Sequence, residues 1–306
     1  MSNVTASMVK DLRDKTGAGM MDCKAALTET NGDEEAAIDW LRKKGLSKAA
    51  KKAGRVAAEG LIGVVANNDV GALVEVNAET DFVARNDEFK EFVKDAAAAA
   101  LKADGDLEKL LAHPADEGSM KDRLTALVAK IGENMSVRRA VLLGVSEGVV
   151  ASYIHNAAAP ELGKIGVLVA VKSSGDKDKL TALGKQIAMH IAAASPLALT
   201  AEHLSKEVVD RERAIHADIA RQSGTAEQFI DKKIEGRMRK FYEESVLMSQ
   251  VFVIDGETPI AKVVEKASKD LGTPVAIEGF VRFQVGEGIE KVESDFADEV
   301  SKMAGH

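Results

Sequence analysis

The six histidines, at 113, 155, 190, 203, 216 and 306, contain no pair at i, i+3 or i+4, the spacings by which one helix face grips a metal ion. The single cysteine, Cys23, cannot build a thiolate cluster or an internal disulfide, and "MDCKAAL" reads as helix interior with the thiol as a small apolar filler. "GAGMMDCK" (Gly17–Lys24) is glycine-rich but lacks the Gly-Lys-Ser/Thr ending of a phosphate-binding loop. No Gly-x-Ser-x-Gly elbow occurs, and nothing in the spacing pairs two of the many carboxylates. The expectation is a protein with no cofactor, no metal and no catalytic residue. An α/β enzyme whose site assembles from distant residues remains as an alternative.

"ETDFVARN" (Glu79–Asn86) offers a different chemistry, that of contact. Phe82 stands among charged and small polar residues where a loop is expected. Phe89, Phe92, Val93 and Ala96 follow at i, i+3, i+4 and i+7 and form the buried face of a helix. If Thr80 caps that helix, Phe82 falls one heptad before Phe89 and joins the buried face. If Asn86 or Asp87 caps it, Phe82 lies outside and is free to protrude.

A chain of 306 residues has room for several compact units. Hydrophobic residues at 45% and charged residues at 29% are ordinary for a soluble globular protein, and aromatics are scarce at 4%. A formal charge of −8 disfavours nucleic acid as the main partner. One cysteine fits a reducing compartment, the N-terminus carries acids and no apolar signal region, and the longest strongly apolar run, "IGVLVAV" (Ile165–Val171), is too short to cross a bilayer. These features predict a cytoplasmic protein with no membrane contact.

Residues 1–46 read as a three-helix domain, interrupted at "TGAGM" (Thr16–Met20) and "NGD" (Asn31–Asp33) and closed at Gly45. A basic linker follows over 47–58, with Lys48, Lys51, Lys52 and Arg55. It reads as a solvated segment, the alternative being an RNA contact that would make the protein a nucleic-acid or ribosome binder. Beyond it the chain repeats itself. "GALVEV" (Gly71–Val76) and "GVLVAV" (Gly166–Val171) agree at four of six positions, 95 residues apart, and each is followed by an amphipathic helix. Two related α+β core subdomains with small antiparallel sheets are predicted, over 59–145 and over 146–195 with 236–288. Inserted within the second, 196–235 reads as a helical hairpin of the coiled-coil kind. Leu204, Val208, Ile215 and Ile219 line one helix, and Phe229, Ile230, Ile234, Met238 and Phe241 the other. Residues 289–306 read as a C-terminal helical module. At the same offset the counterpart of Phe82 is Lys177, so the shared fold has no need of an aromatic there, which moves Phe82 toward a surface role.

"VNAETDFVARNDEF" (Val76–Phe89) resembles the central signature of the elongation factor Ts family, and "LRDKTGAGMMDCKAAL" (Leu12–Leu27) its N-terminal signature. The resemblance continues through "KIGENMSVRR" (Lys130–Arg139), "IGVLVAV", "EGRMRKF" (Glu235–Phe241) and "RFQVGEGIEK" (Arg282–Lys291), in order along nearly the whole chain. It implies a bacterial, cytosolic guanine-nucleotide exchange factor for elongation factor Tu that binds the partner in GDP-bound and nucleotide-free forms, with no direct nucleic-acid contact. Self-association stays open. It also implies that the first domain is similar to ubiquitin-associated domains and docks on the G domain through Arg13, Met20 and Met21. Thr80, Asp81, Phe82 and Val83 would be linked to dislodging the partner's magnesium ion. His155 would meet the partner's third domain, although "HNAAAPELGKIG" (His155–Gly166) reads as a longer loop than in some members.

Overall fold

Three helices open the chain: α1 (Ala6–Thr16), α2 (Met20–Glu29) and α3 (Glu34–Lys52). Their small core is Val9, Leu12, Cys23, Ala26, Leu27 and Ala37, with Trp40 and Leu41 against it. Asp33 caps α3, accepting from the Ala36 amide at 2.9 Å. The computed structural model describes residues 4–16, 18–116, 118–224 and 226–290, apart from the side chains of Leu46 and Lys48.

The first half of the remainder runs β1 (Glu59–Asn67), β2 (Val70–Ala78), α4 (Asp87–Lys102), α5 (Leu107–Ala112), α6 (Met120–Ile131) and β3 (Met135–Gly144). The second runs β4 (Gly148–Ala159), β5 (Leu162–Lys172), α7 (Lys177–Ala194), α8 (Lys206–Gln222), α9 (Glu227–Ser245), α10 (Ile260–Leu271) and β6 (Ala276–Gln284). In each half the second strand lies between the first and the third, all antiparallel. The two sets are not separate small sheets. Ile62↔Gly163 and Gly63↔Leu162 join them into one six-stranded sheet, β3-β2-β1-β5-β4 with β6 on β5.

Alternation along the strands sorts side chains into three layers. Leu61, Ala72, Val74 and Val76 pack with Phe89, Phe92 and Val93 of α4. Val167, Val169 and Val171 pack with Leu180, Ile187 and Ile191 of α7 and Ile260 and Val264 of α10. Between them Ile62, Val64 and Leu73 of the first half meet Val150, Leu168, Ala170 and Phe283 of the second. Both faces of the strands are therefore buried, so their sequences run apolar continuously.

A buried carboxylate pins the halves together. Glu75 of β2 faces a bulge in β3, which turns Arg138 and Arg139 toward it at 3.1 and 2.6 Å. Asn77 Nδ2 donates to it at 3.0 Å, and the Gly286 amide, just past β6, at 2.8 Å. Burial alone would raise the Glu75 pKa; the Gly286, Asn77 and Arg139 bonds outweigh it and hold the carboxyl below its ordinary value. Gly286 has φ +72°, and a Cβ there would stand 2.3 Å from the Ala58 carbonyl oxygen, so only glycine fits.

Several boundaries differ from the sequence reading. α3 does not stop at Gly45; it continues to Lys52 through half of the segment read as linker. Gly45 instead marks where α3 presses on α6, its missing Cβ 3.3 Å from that of Ala129. α9 runs on to Ser245, past residue 235, because Gly236 sits in the open and nothing there compels the helix to end. Helices α5, α6 and α10 had drawn no assignment. The Ser119–Asp122 capping box of α6 was the signal that could have revealed it. In the hairpin, α8 packs on α9 through Ala220, Ile230 and Met238, while Val208, Ile215 and Ile219 of the expected stripe, and Phe229 opposite, are exposed. The buried face of α8 thus runs through Ala220, beside the stripe of larger residues. The helix expected over Ile289–Met303 falls almost wholly on residues 291–306, outside the described ones.

Candidate functional site

The β2–β3 ladder ends at Ala78↔Met135. Beyond it, side chains replace the missing backbone bonds. The Thr80 amide donates to Glu133 at 3.0 Å and the Thr80 hydroxyl to the same carboxylate at 2.9 Å. In return the Asn134 amide donates to the Glu79 carboxylate. Arg55, after α3, joins this knot: Asn134 Nδ2 donates to its carbonyl at 2.7 Å, and its guanidinium lies 3.5 Å from Glu79. Lys52 donates to the Gly132 carbonyl.

From this mount the chain makes a short 3-10 turn over Val83–Arg85 and enters α4. Asn86 caps α4, its side chain accepting from the Phe89 amide at 3.1 Å, so the alternative in which Thr80 is the cap does not occur. Phe82 is thereby left outside the helix with 72% of its surface exposed, while Val83 beside it is only 3% exposed. Asp81 and Arg85 pair at 3.1 Å on the surface, and the guanidinium carbon lies 5.8 Å from the Phe82 ring. An exposed pair of this kind contributes only about 0–1 kcal/mol, so it leaves Asp81 available to another partner. A lone exposed apolar side chain is unremarkable in itself. The distinction of Phe82 is that buried residues and carboxylates fix its backbone on both sides.

The second half lacks this turn. Asp176 caps α7 four residues after β5 ends, whereas Asn86 comes eight residues after β2 ends. Lys177 thus begins α7 and is not the spatial counterpart of Phe82. The first half carries extra residues in its strand-to-helix connection, and Phe82 sits on them.

The other expected contact residues lie elsewhere. Arg13 is exposed on α1, and Met20 and Met21, 59% and 75% exposed, occupy the first turn of α2. His155 is exposed on β4 with the Tyr153 hydroxyl 3.2 Å from its Nδ1. The long loop expected after it is absent: β4 continues to Ala159, β5 starts at Leu162, and Pro160 and Glu161 alone make the turn, with Glu161 at φ 65°.

Of the basic run, Lys52 and Arg55 are engaged with the core as above, and the Lys48 side chain lies outside the described set. Among the described residues no group of three His, Cys, Asp or Glu could hold a metal ion, and no helix is long and apolar enough to cross a membrane. Sequence reasoning passed over Glu133 and Asn134 as part of a motif. Their position two and one residues before β3, opposite the end of β2, was the signal.

The family model described as "Elongation factor TS" matches residues 79–287, from the start of the Phe82 turn to just beyond Gly286. Proteins named "Elongation factor Ts" from Parvibaculum lavamentivorans and Rhodospirillum centenum are each 60% identical, covering 99% and 100% of both chains respectively. One from Rhodospirillum rubrum is 60% identical over 98% of both. With the family model matching residues 79–287 and relatives 60% identical over nearly the whole of both chains, the chain belongs to the elongation factor Ts family.

Proposed function

We infer that the chain is a guanine-nucleotide exchange factor for elongation factor Tu, working in the cytoplasm during translation elongation by protein–protein binding alone. The observation that carries the reading is the exposed Phe82 ring on a backbone fixed from both sides. A factor accelerates nucleotide release only by binding the nucleotide-free partner better than the loaded one, and by linkage the nucleotide must weaken the factor's hold equally. A phenylalanine that finds its pocket only when the G domain opens supplies such a difference. Burying it is worth roughly 1.5–3 kcal/mol. Inverting a population from about 1:99 to 99:1 takes around 5.5 kcal/mol, so further contacts must share the task.

In this reading Phe82 enters the G domain near its magnesium and phosphate site, with Asp81 making polar contacts there. Thr80 and Val83 serve the same element from behind, because their groups face their own fold. Arg13, Met20 and Met21 dock the three-helix unit, taken as ubiquitin-associated in type, on the G domain. Methionines suit a face that must fit a moving surface. His155 meets the third domain, and the α8–α9 hairpin acts as a coiled-coil arm. RNA binding through the basic run is disfavoured, since Lys52 and Arg55 already have intramolecular partners.

The test is release of fluorescent GDP from elongation factor Tu. Phe82→Ala removes a ring that contributes little to the factor's own core, so its melting temperature should stay within a degree or two, as for surface substitutions within about 0.5 kcal/mol. Its stimulated release rate should drop by at least about tenfold, the loss of some 1.4 kcal/mol of differential binding. Unchanged release would remove the wedge role.

A further inference from the structure

Nothing in regular secondary structure holds Thr80, Asp81 and Phe82, because the β2–β3 ladder has ended and α4 has not begun. On the upstream side their geometry depends on one side chain from across the ladder, while on the downstream side the Phe82 carbonyl accepts from the Arg85 amide at 3.1 Å. Glu133 takes both donors of Thr80, the amide at 3.0 Å on Oε2 and the hydroxyl at 2.9 Å on Oε1. Two donors on two carboxylate oxygens fix both the direction of the chain and the Thr80 rotamer. Downstream, Val83 and Ala84 are buried and Asn86 caps α4, so Phe82 is suspended between a carboxylate clamp and a helix cap. Glu133 is itself held, between Gly132, whose carbonyl accepts from Lys52, and Asn134, whose amide is bound by Glu79.

We propose that Glu133 is a positioning residue for nucleotide exchange: its carboxylate aims Phe82 at the partner through Thr80. This rests on the reading of Phe82 as the inserted side chain. A carboxylate suits both contacts because each of its charged oxygens accepts, one from the amide and one from the hydroxyl. Glutamine at this place can accept from the Thr80 amide with its oxygen and must then donate to the hydroxyl, which keeps both contacts but loses the charge that strengthens them. An aromatic ring that must enter a gap tolerates little misdirection, and a displacement of about 1 Å can cost up to a hundredfold in rate. Alanine at 133 leaves the Thr80 amide and hydroxyl to water and lets the turn sample other directions. The loss then belongs to the rate at saturating factor, because the docking residues on α1, α2 and β4 are untouched.

The experiment combines Glu133→Ala, Glu133→Gln, Thr80→Val and Phe82→Ala in the full-length chain, with fluorescent GDP release from elongation factor Tu followed against factor concentration. Glu133→Ala should slow release at saturation by about tenfold and leave the half-saturating concentration within about twofold, with Glu133→Gln intermediate. In the Phe82→Ala background Glu133→Ala should cost nothing more, since a positioning group acts only through what it positions. Should Glu133→Ala perturb the fold by circular dichroism, Thr80→Val, which removes only the hydroxyl donor, serves instead. It should give a smaller slowing that likewise vanishes in the Phe82→Ala background. Full activity of Glu133→Ala beside a slow Phe82→Ala would overturn the proposal and leave the wedge standing. Additive losses would overturn it too, by showing that Glu133 acts apart from the ring. A harmless Phe82→Ala would overturn the wedge itself, and the positioning role with it.

Discussion

At the scale of single residues, His190 shows how burial fixes a protonation state. It lies wholly inside α7's packed face, with Nε2 2.9 Å from Gln250 Oε1 and Nδ1 accepting from the Val253 amide at 3.3 Å. A proton on Nδ1 would face that amide donor head-on. Burial pushes the imidazole pKa below 6.5, against a smaller opposing effect of the Gln250 bond. The sign follows from linkage: below pH 6.5 the unfolded chain takes up a proton that the folded chain refuses, so stability falls with acidification and is insensitive above that pH. Melting temperatures from pH 7.5 down to about 5 should decline more steeply for the parent than for His190→Asn, whose amide oxygen can still accept from Val253. Parallel slopes would refute it. The sequence did not single out this histidine, since a partner 60 residues away leaves no local spacing. Phe82 was legible only as an alternative between caps, and Asn86 decided it through one hydrogen bond.

At the scale of elements, the two halves seat a helix on a sheet by the same device from opposite sides. In the first, Gly63 of β1 gives way to Val93 of α4, with 2.9 Å between the absent Cβ and the valine Cγ1. In the second, Gly184 of α7 gives way to Ala151 of β4 at 2.5 Å. Intrinsic propensity favours alanine over glycine inside a helix by about 1 kcal/mol. At 184 the contact is with a Cβ that cannot rotate away, and overpacking of about 1–3 kcal/mol wins. Gly184→Ala should therefore lower the urea midpoint. At Gly236 in α9 nothing lies within 4 Å of a new Cβ, so Gly236→Ala should strengthen amide protection along that helix. Opposite signs for one chemical change would separate packing from propensity, and equal signs would refute the close approach. The period of apolar residues disclosed α4, α7 and the strands because each buries a wide face. It misplaced the buried face of α8, where Ala220 is the buried residue, and it ended α3 at a glycine that serves packing.

At the scale of the whole molecule, what the sequence hid is how the halves meet. Apolar runs such as Ile165–Val171 look alike whether a helix or another sheet covers the second face, so the shared layer of Ile62, Leu73, Leu168 and Phe283 had no signature of its own. Neither half can leave the other without exposing that layer and the Glu75 carboxylate, so they should unfold together. The three-helix unit stands differently. Its core is six small or medium side chains, too few for much independent stability, and it leans on the remainder through α3 on α6 and the Lys52 contact with Gly132. The chain's only tryptophan, Trp40, lies in α3 against that small core, with the Lys44 ammonium 4.5 Å from its ring centroid. Its fluorescence therefore reports the three-helix unit, while far-ultraviolet circular dichroism reports mainly the helices and strands beyond it. In urea the Trp40 signal should change at a lower midpoint than the dichroism, which should follow a single later transition. Coincident midpoints would instead make α3 a rigid coupler that renders the molecule one cooperative unit, and Lys52→Ala would then be expected to pull the two midpoints apart.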